Sequence, residues 1–300
     1  MKKYILIILL IIILTFTAVV NAEYEIETGI GKMEGHTTYT IEFIADGDTG
    51  KSELAFNIDT LIDVLKYKNK RQNAPYTYSL EIKSNHFFKN SGILTDTDWI
   101  NGYRAIYSET DTDLELLNLD FRFTSKNLVD RFDLRFITGY EWQDYNFMGY
   151  GTVQTDFRFS PPEEDVFRDD INTIAYDINY YIPYLAVSVS NKKERKRDYN
   201  LIIGYSPAVR AVDEDTHILR NKVSKSETDG YSYFIEADFN YKIRENTFFK
   251  IGGEYLKIDT DGTQTQYGFT QAGNPYEYEG IPIEINSTQA VIIAGFQRKF

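Results

Sequence analysis

The sequence predicts an all-β protein, a ten-stranded antiparallel transmembrane β-barrel formed by residues 23–300. Three observations lead to this prediction: a secretory signal precedes the strands, apolar and polar residues alternate within them, and short connections alternate with long ones. The 24 tyrosines and 20 phenylalanines suit a sheet with one apolar and one polar face. A soluble β-sandwich also has alternating strands and is the alternative fold.

Residues 1–22 are predicted to be a secretory signal peptide that is cleaved before Glu23. Lys2 and Lys3 precede an apolar run over residues 4–14, and the segment ends in small residues. A transmembrane helix is the alternative, but the apolar run is shorter than the roughly 20 residues that a helical span needs. An exported protein is therefore expected.

The charge and the cysteine content restrict the possible partners and chemistry. Without the two lysines of the signal peptide, 45 acidic residues face 30 basic ones. This excess disfavours nucleic acid as a partner and favours cationic peptides or proteins. The chain has no cysteine, so neither a disulfide nor a thiol nucleophile is available.

The strands show a period of two residues. Between residues 117 and 123, and again between 233 and 243, apolar and polar side chains alternate, as expected for a wall with lipid on one side and a polar lumen on the other. The last strand ends the chain at Phe300, a feature typical of outer-membrane barrels. Ten strands are predicted near residues 23–32, 52–59, 78–94, 114–123, 132–146, 171–189, 199–211, 231–243, 247–258 and 286–300.

The connections predict which end of the barrel faces the outside of the cell. Bacterial barrels have short periplasmic turns and long external loops. Long connections rich in Asp, Gly, Ser and Thr are predicted, and they are expected to share the extracellular rim. They fall at residues 33–51, 95–113, 147–170, 212–230 and 259–285, whereas the connection over 60–76 breaks the alternation.

Two acidic motifs fall at the starts of the second and fourth long connections. The first contains Asp96 and Asp98, and the second contains Asp213, Asp215 and His217. Residues two apart on an extended chain face the same side, so Asp215 is expected to orient the ring of His217. Strands four steps apart in a ring of ten lie on facing walls. A carboxylate pair opposite an Asp–His couple can activate water.

Spacing alone is a weak signal, because pairs that begin at Asp46, Asp111 and Asp259 repeat it. Such pairs are ordinary solvated loop residues in most acidic chains. A calcium loop beginning at Asp259 is the alternative for that segment, although acids are missing from the later ligand positions. His217 is more informative, since only three histidines are present and it alone has an aspartate two residues before it.

Other hydrolase chemistries lack their motifs. No His-Glu-x-x-His sequence is present for zinc, and Ser206 lacks the second glycine of a nucleophile elbow. We therefore expect no metal and no cofactor. Water activated by an Asp–His couple or by paired acids remains.

In both motifs, and over most of residues 23–300, the chain resembles the omptins, ten-stranded outer-membrane endopeptidases. The matching residues are Asp96, Asp98 and Trp99 in the first motif, and Tyr205, Ser206, Asp213, Asp215 and His217 in the second. The resemblance implies an aspartyl endopeptidase of the bacterial outer membrane with its site outside the cell. Asp215 and His217 would activate water, while Asp96 and Asp98 would position it or stabilise the tetrahedral intermediate.

The chain departs from the omptin pattern in the substrate pocket. Omptins hold a basic side chain between two acids, and only one of these is matched here, by Asp213. The position of the second acid is occupied by Tyr39 or, with another gap, by Thr37. We therefore expect cationic peptides and proteins as substrates, with a weaker requirement for a basic residue.

A second departure concerns membrane lipid. Omptins bind lipopolysaccharide on their outer wall, and here Trp142, Asp144 and Asn179 replace the charged contacts. Outer-membrane lipid still surrounds the barrel, but the lipopolysaccharide site is expected to be lost or remodelled. The alternative function is a non-catalytic outer-membrane barrel that acts as an adhesin or binding protein.

Overall fold

The computed structural model describes residues 23–45, 47–70, 76–88, 92–129, 133–168, 170–191, 196–270 and 273–300. The predicted signal peptide, 1–22, lies outside these residues. Within them, no helix is long and apolar enough to cross a membrane. The protein is all-β, as predicted.

The described residues form twelve strand segments. They are β1 (Glu23–Ala45), β2 (Asp48–Lys70), β3 (Tyr76–Ser84), β4 (Gly92–Ile100), β5 (Tyr103–Ser125), β6 (Asp133–Asp156), β7 (Glu163–Val166), β8 (Asn172–Ser190), β9 (Arg197–His217), β10 (Lys222–Arg244), β11 (Thr247–Phe269) and β12 (Pro275–Lys299). A 3-10 turn, Ile218–Arg220, joins β9 to β10.

The strands close into a ring of ten. β3 and β4 are two parts of one interrupted strand, since both pair with β2 on one side and β5 on the other. The short β7 pairs with the outer end of β6. Antiparallel ladders join β5 to β6 and β1 to β12, so that the ring of ten strands is closed. The predicted ten-stranded antiparallel barrel is confirmed.

The strands are longer than predicted, and this corrects the position of the site motifs. The strand predicted near 199–211 runs from Arg197 to His217, and β4 and β5 are joined by a two-residue turn at Asn101 and Gly102. Both turn residues have positive φ, as tight hairpins of this kind require. The acidic motifs therefore lie on strands and not in loops. Above the lipid the outward residues become polar, so the alternation no longer marks a strand.

The outer wall has an apolar band with a defined upper limit. On β9, Leu201, Ile203 and Tyr205 face outward and are exposed, as lipid-facing residues are. Further along the same wall, Arg210 pairs with Glu227 on β10, and beyond it Glu214 pairs with Lys225. This change from apolar to charged side chains places the ends of β9 and β10 that carry Glu214 and Lys225 beyond the membrane. These are called the outer ends of the strands.

The lumen is packed and is not an open pore. At the level of the apolar band it holds buried ion pairs, among them Arg122 with Asp120 and Glu236. Above them lies a layer of aromatic and aliphatic side chains, in which the rings of Phe56 and Tyr176 stack with centroids 4.3 Å apart. The acidic motifs lie next to this layer, on the side away from the ion pairs.

Candidate active site

The second acidic motif lies at the outer end of β9. Asp213, Asp215 and His217 are buried on the lumen side, while Glu214 between them is partly exposed and pairs with Lys225 at 2.9 Å on the outside. His217 Nε2 lies 3.1 Å from Asp215 Oδ2. The extended backbone thus brings the aspartate and the imidazole together, as the spacing predicts.

The first acidic motif lies near the outer end of β4, four steps round the ring from β9 and so on the facing wall. Burial, and next the like charge of Asp98, raise the pKa of Asp96 to about 6. His217, Arg220 and Lys222 act on the pKa of Asp96 in the opposite direction. The two motifs therefore share one electrostatic environment across the cleft, and Asp96 holds a proton to a higher pH than an ordinary aspartate.

Lys222 belongs to the same cleft and was missed in the sequence. It is the cross-strand partner of His217 in the β9–β10 ladder. Burial lowers the pKa of its ammonium group, while the charges of Asp215, Asp96 and Asp98 raise it. Its position in the cleft depends on the register between β9 and β10. A single sequence does not encode this register in any recognisable motif.

Asp213 lies two residues before Asp215 on the lumen face of β9, further from the outer end of the strand. Ser226 Oγ donates a hydrogen bond to its Oδ1, and Oδ2 is buried without a hydrogen-bond partner among the described residues. Burial raises the pKa of Asp213 to about 7, the hydrogen bond from Ser226 opposes this, the charge of Asp215 adds to it, and the hydroxyl of Tyr176 beside the carboxyl group lowers it again. A buried acid with this pKa can take up a cationic side chain by losing its proton.

Tyr39 on β1 lies near Asp215 and Asp213. Its hydroxyl donates a hydrogen bond to Gln264 Oε1, and its pKa is raised by burial and then by Asp215 and Asp213. Thr37 points into the same lumen but shares a 3.0 Å hydrogen bond with Ser287. Of the two candidates for the missing acid, Tyr39 is the one placed against the acids, and it is neutral at physiological pH.

The Asp-x-Asp pairs that begin at Asp111 and Asp259 face away from the lumen. Asp111 and Asp113 are exposed on β5, and Asp259 on β11 pairs with Lys257 at 3.2 Å. Asp46 lies outside the described residues. No group of three or more His, Cys, Asp or Glu side chains suited to a metal is found in the described part of the chain.

Comparison with known proteins places this architecture in a family. The model of the omptin family matches residues 21–300. The chain belongs to the omptin family. Membership makes this omptin an outer-membrane protein of a family of proteases, as the motifs predict.

Two relatives show the extent of the likeness. The plasminogen activator of Yersinia pestis is 22% identical over 277 residues, which cover 86% of this omptin and 85% of the relative. The crystal structure of the outer membrane protease OmpT from Escherichia coli superposes with a TM-score of 0.77 at 17% identity, over 95% of this omptin and 100% of that chain. At this identity the second likeness shows the barrel fold.

The outer wall of this omptin departs from the charged pattern that the resemblance implies. Trp142 Nε1 donates to Asn179 Oδ1 at 3.2 Å, and Asn146 Nδ2 donates to Asp144 Oδ1 at 3.0 Å. Phosphate groups are bound by Arg and Lys, whereas a carboxylate repels them. A remodelled lipopolysaccharide site stays a prediction.

Proposed function

We propose that this omptin is an endopeptidase that hydrolyses exposed or cationic peptides and proteins on the extracellular side of the outer membrane. The observation that carries the proposal is the cleft where Asp96 and Asp98 face the Asp215–His217 couple above a packed lumen. The charged wall beyond the apolar band supports an external site. A plasminogen activator and an outer membrane protease among the relatives support proteolysis.

In the proposed mechanism, water in the cleft attacks the carbonyl carbon of the scissile bond. Because His217 Nε2 faces Asp215, Nδ1 takes the proton from the water, and Asp215 stabilises the imidazolium that forms. Ionised Asp96 accepts a hydrogen bond from the other O–H of the water, and this orients the water oxygen toward the carbonyl carbon. The C–O bond forms, the C–N bond then breaks, and His217 returns its proton to the leaving amine.

The test is hydrolysis of a fluorogenic basic peptide by the folded barrel in detergent, with and without lipopolysaccharide. Serine- and cysteine-directed reagents and EDTA should leave the rate unchanged, since the proposed chemistry uses neither a nucleophilic side chain nor a metal. Complete inhibition by EDTA that added metal reverses would contradict this mechanism. A folded barrel that binds the peptide but never cleaves it would favour the adhesin or binding protein instead.

The preference for a basic residue should grow as the pH rises through about 7. Asp213 is neutral below its pKa of about 7 and charged above it, and only the charged form pairs with Arg or Lys. Between pH 6 and 8 the kcat/KM ratio of an Arg peptide to its norleucine analogue should rise by up to about tenfold, because the ionised fraction of the acid rises by that factor. Any pH dependence of the hydrolytic step that is common to both peptides cancels in this ratio.

In Asp213→Asn, the kcat/KM ratio of the Arg peptide to the norleucine peptide should be low and independent of pH. Turnover of the norleucine peptide should persist. Glu214→Gln is the matched control, because Glu214 is the next residue but pairs with Lys225 outside the lumen. A strict basic requirement that survives Asp213→Asn would mean that another acid forms the pocket. Glu34 is a poor candidate for it, because its side chain is exposed on the outer face of β1.

A further inference from the structure

Strand β9 contains one extra residue below the candidate site. In the ladder with β10, Ser206 pairs with Ser232 and Val209 with Gly230, so Pro207 and Ala208 together oppose the single residue between these partners. The ladder with β8 shows the same excess, since five steps along β9 from Tyr205 match four steps along β8. These features define a β-bulge at Pro207 and Ala208.

The bulge reverses which residues of β9 face the lumen. Below it the buried residues are even-numbered, such as Ile202 and Ser206, and above it they are odd-numbered, such as Val209 and Asp213. A shift of one residue moves every later side chain to the other face of a strand. Without the bulge, Glu214 and Thr216 would point inward and the second acidic motif would face outward.

The structure holds the bulge in place from both sides. Pro207 has no N–H to donate, which suits an unpaired position. Ser206 is fully buried, and its Oγ donates to the carbonyl of Pro183 and accepts from the N–H of Ala208 at 3.5 Å. On β10, a Cβ at Gly230 would collide with the backbone of Asp259, so that position admits only glycine.

We propose that the bulge at Pro207 and Ala208, held by Ser206, is the positioning element that turns Asp213, Asp215 and His217 into the lumen. Its catalytic consequence rests on the proposed endopeptidase activity. Its structural consequence, the direction of the side chains, does not.

Single cysteines test the direction, because the chain has none of its own. With the bulge intact, Glu214→Cys should react with a membrane-impermeant maleimide at least about tenfold faster than Asp213→Cys, since the two residues lie on opposite faces. Deletion of Ala208 should reverse this order. Lys225→Cys on β10 is the control, and its labelling should not change. An unchanged order in the folded deletion variant would overturn the proposal.

Activity supplies a second measurement with a rescue. Deletion of Ala208 should lower kcat/KM by at least about 10²-fold, as loss of general-base assistance does. Insertion of one alanine after Ala211 in the same variant restores the inward direction of the motif and should recover activity. If the inserted alanine again protects Asp213→Cys from maleimide but does not restore activity, the catalytic part of the proposal is wrong.

Ser206→Ala decides the outcome if the deletion variant does not fold. It should lower kcat with little change in KM and raise maleimide labelling of Asp213→Cys, and Ser206→Thr should restore both. Unchanged labelling and kcat would show that Ser206 does not hold the bulge. If the parent protein does not hydrolyse peptides, the proposed endopeptidase activity is wrong. The maleimide labelling then tests, by itself, whether the bulge sets the direction of the side chains.

Discussion

Replacement of His217 by alanine should lower kcat/KM for peptide hydrolysis by at least about 10²-fold without unfolding the barrel, because general-base assistance contributes that much. Asp215→Asn should act in the same direction, since His217 Nε2 lies 3.1 Å from Asp215 Oδ2. Asp96→Asn and Asp98→Asn should also reduce turnover. All four residues lie at the end of the lumen beyond the lipid-facing band, and the substitutions change only side chains, so the backbone pairing of β4 and β9 with their neighbours is kept.

The measurement is a kcat/KM profile against pH, together with the mobility difference between folded and heated protein on gels. Matched controls are Glu214→Gln and His36→Ala, both on outward faces. In the parent protein, activity should be lost as the pH falls through about 6, where Asp96 becomes protonated. Asp98→Asn removes a like charge, so whatever activity remains should persist to lower pH. Undiminished activity in His217→Ala would remove the mechanism, and loss of folding would make the residue structural.

Replacement of Arg122 by methionine should lower the free energy of unfolding by about 3–5 kcal/mol, the cost typical of leaving a buried charge without its partner. Arg122 donates to Glu236 through both terminal nitrogens, with Nη1 to Oε2 at 2.7 Å, and it also pairs with Asp120. All three side chains are buried in the lumen. Methionine keeps most of the volume and removes only the cation.

Urea unfolding in detergent micelles measures this change, and Arg210→Met is the matched control. Arg210 pairs with Glu227 at 2.6 Å on the exposed outer wall, where losing an ion pair costs no more than about 1 kcal/mol. The double variant Arg122→Met with Glu236→Gln should recover part of the loss, since it removes one of the orphaned charges. Equal small effects at both arginines would show that the lumen around Arg122 is solvated.

The sequence by itself determined the fold class and the pairing of Asp215 with His217 in the second acidic motif. Alternation of apolar and polar residues is a local property with a period of two, so it is readable strand by strand and requires a wall with two different faces. The couple of Asp215 and His217 is equally local, because residues two apart on a regular strand share a face. On that shared face His217 Nε2 lies 3.1 Å from Asp215 Oδ2.

The tertiary structure decided which acids enter the cleft and what surrounds them. Asp111 has the same spacing as Asp96 yet points outward, and Tyr39, not Thr37, lies close enough to Asp215 and Asp213 for their charges to raise its pKa. Lys222 joins the site through its pairing with His217. These outcomes depend on register and on a one-residue bulge far along the strand. Because one inserted residue reverses the face of every residue after it, the direction of a side chain is set by long-range pairing and not by its neighbours in sequence.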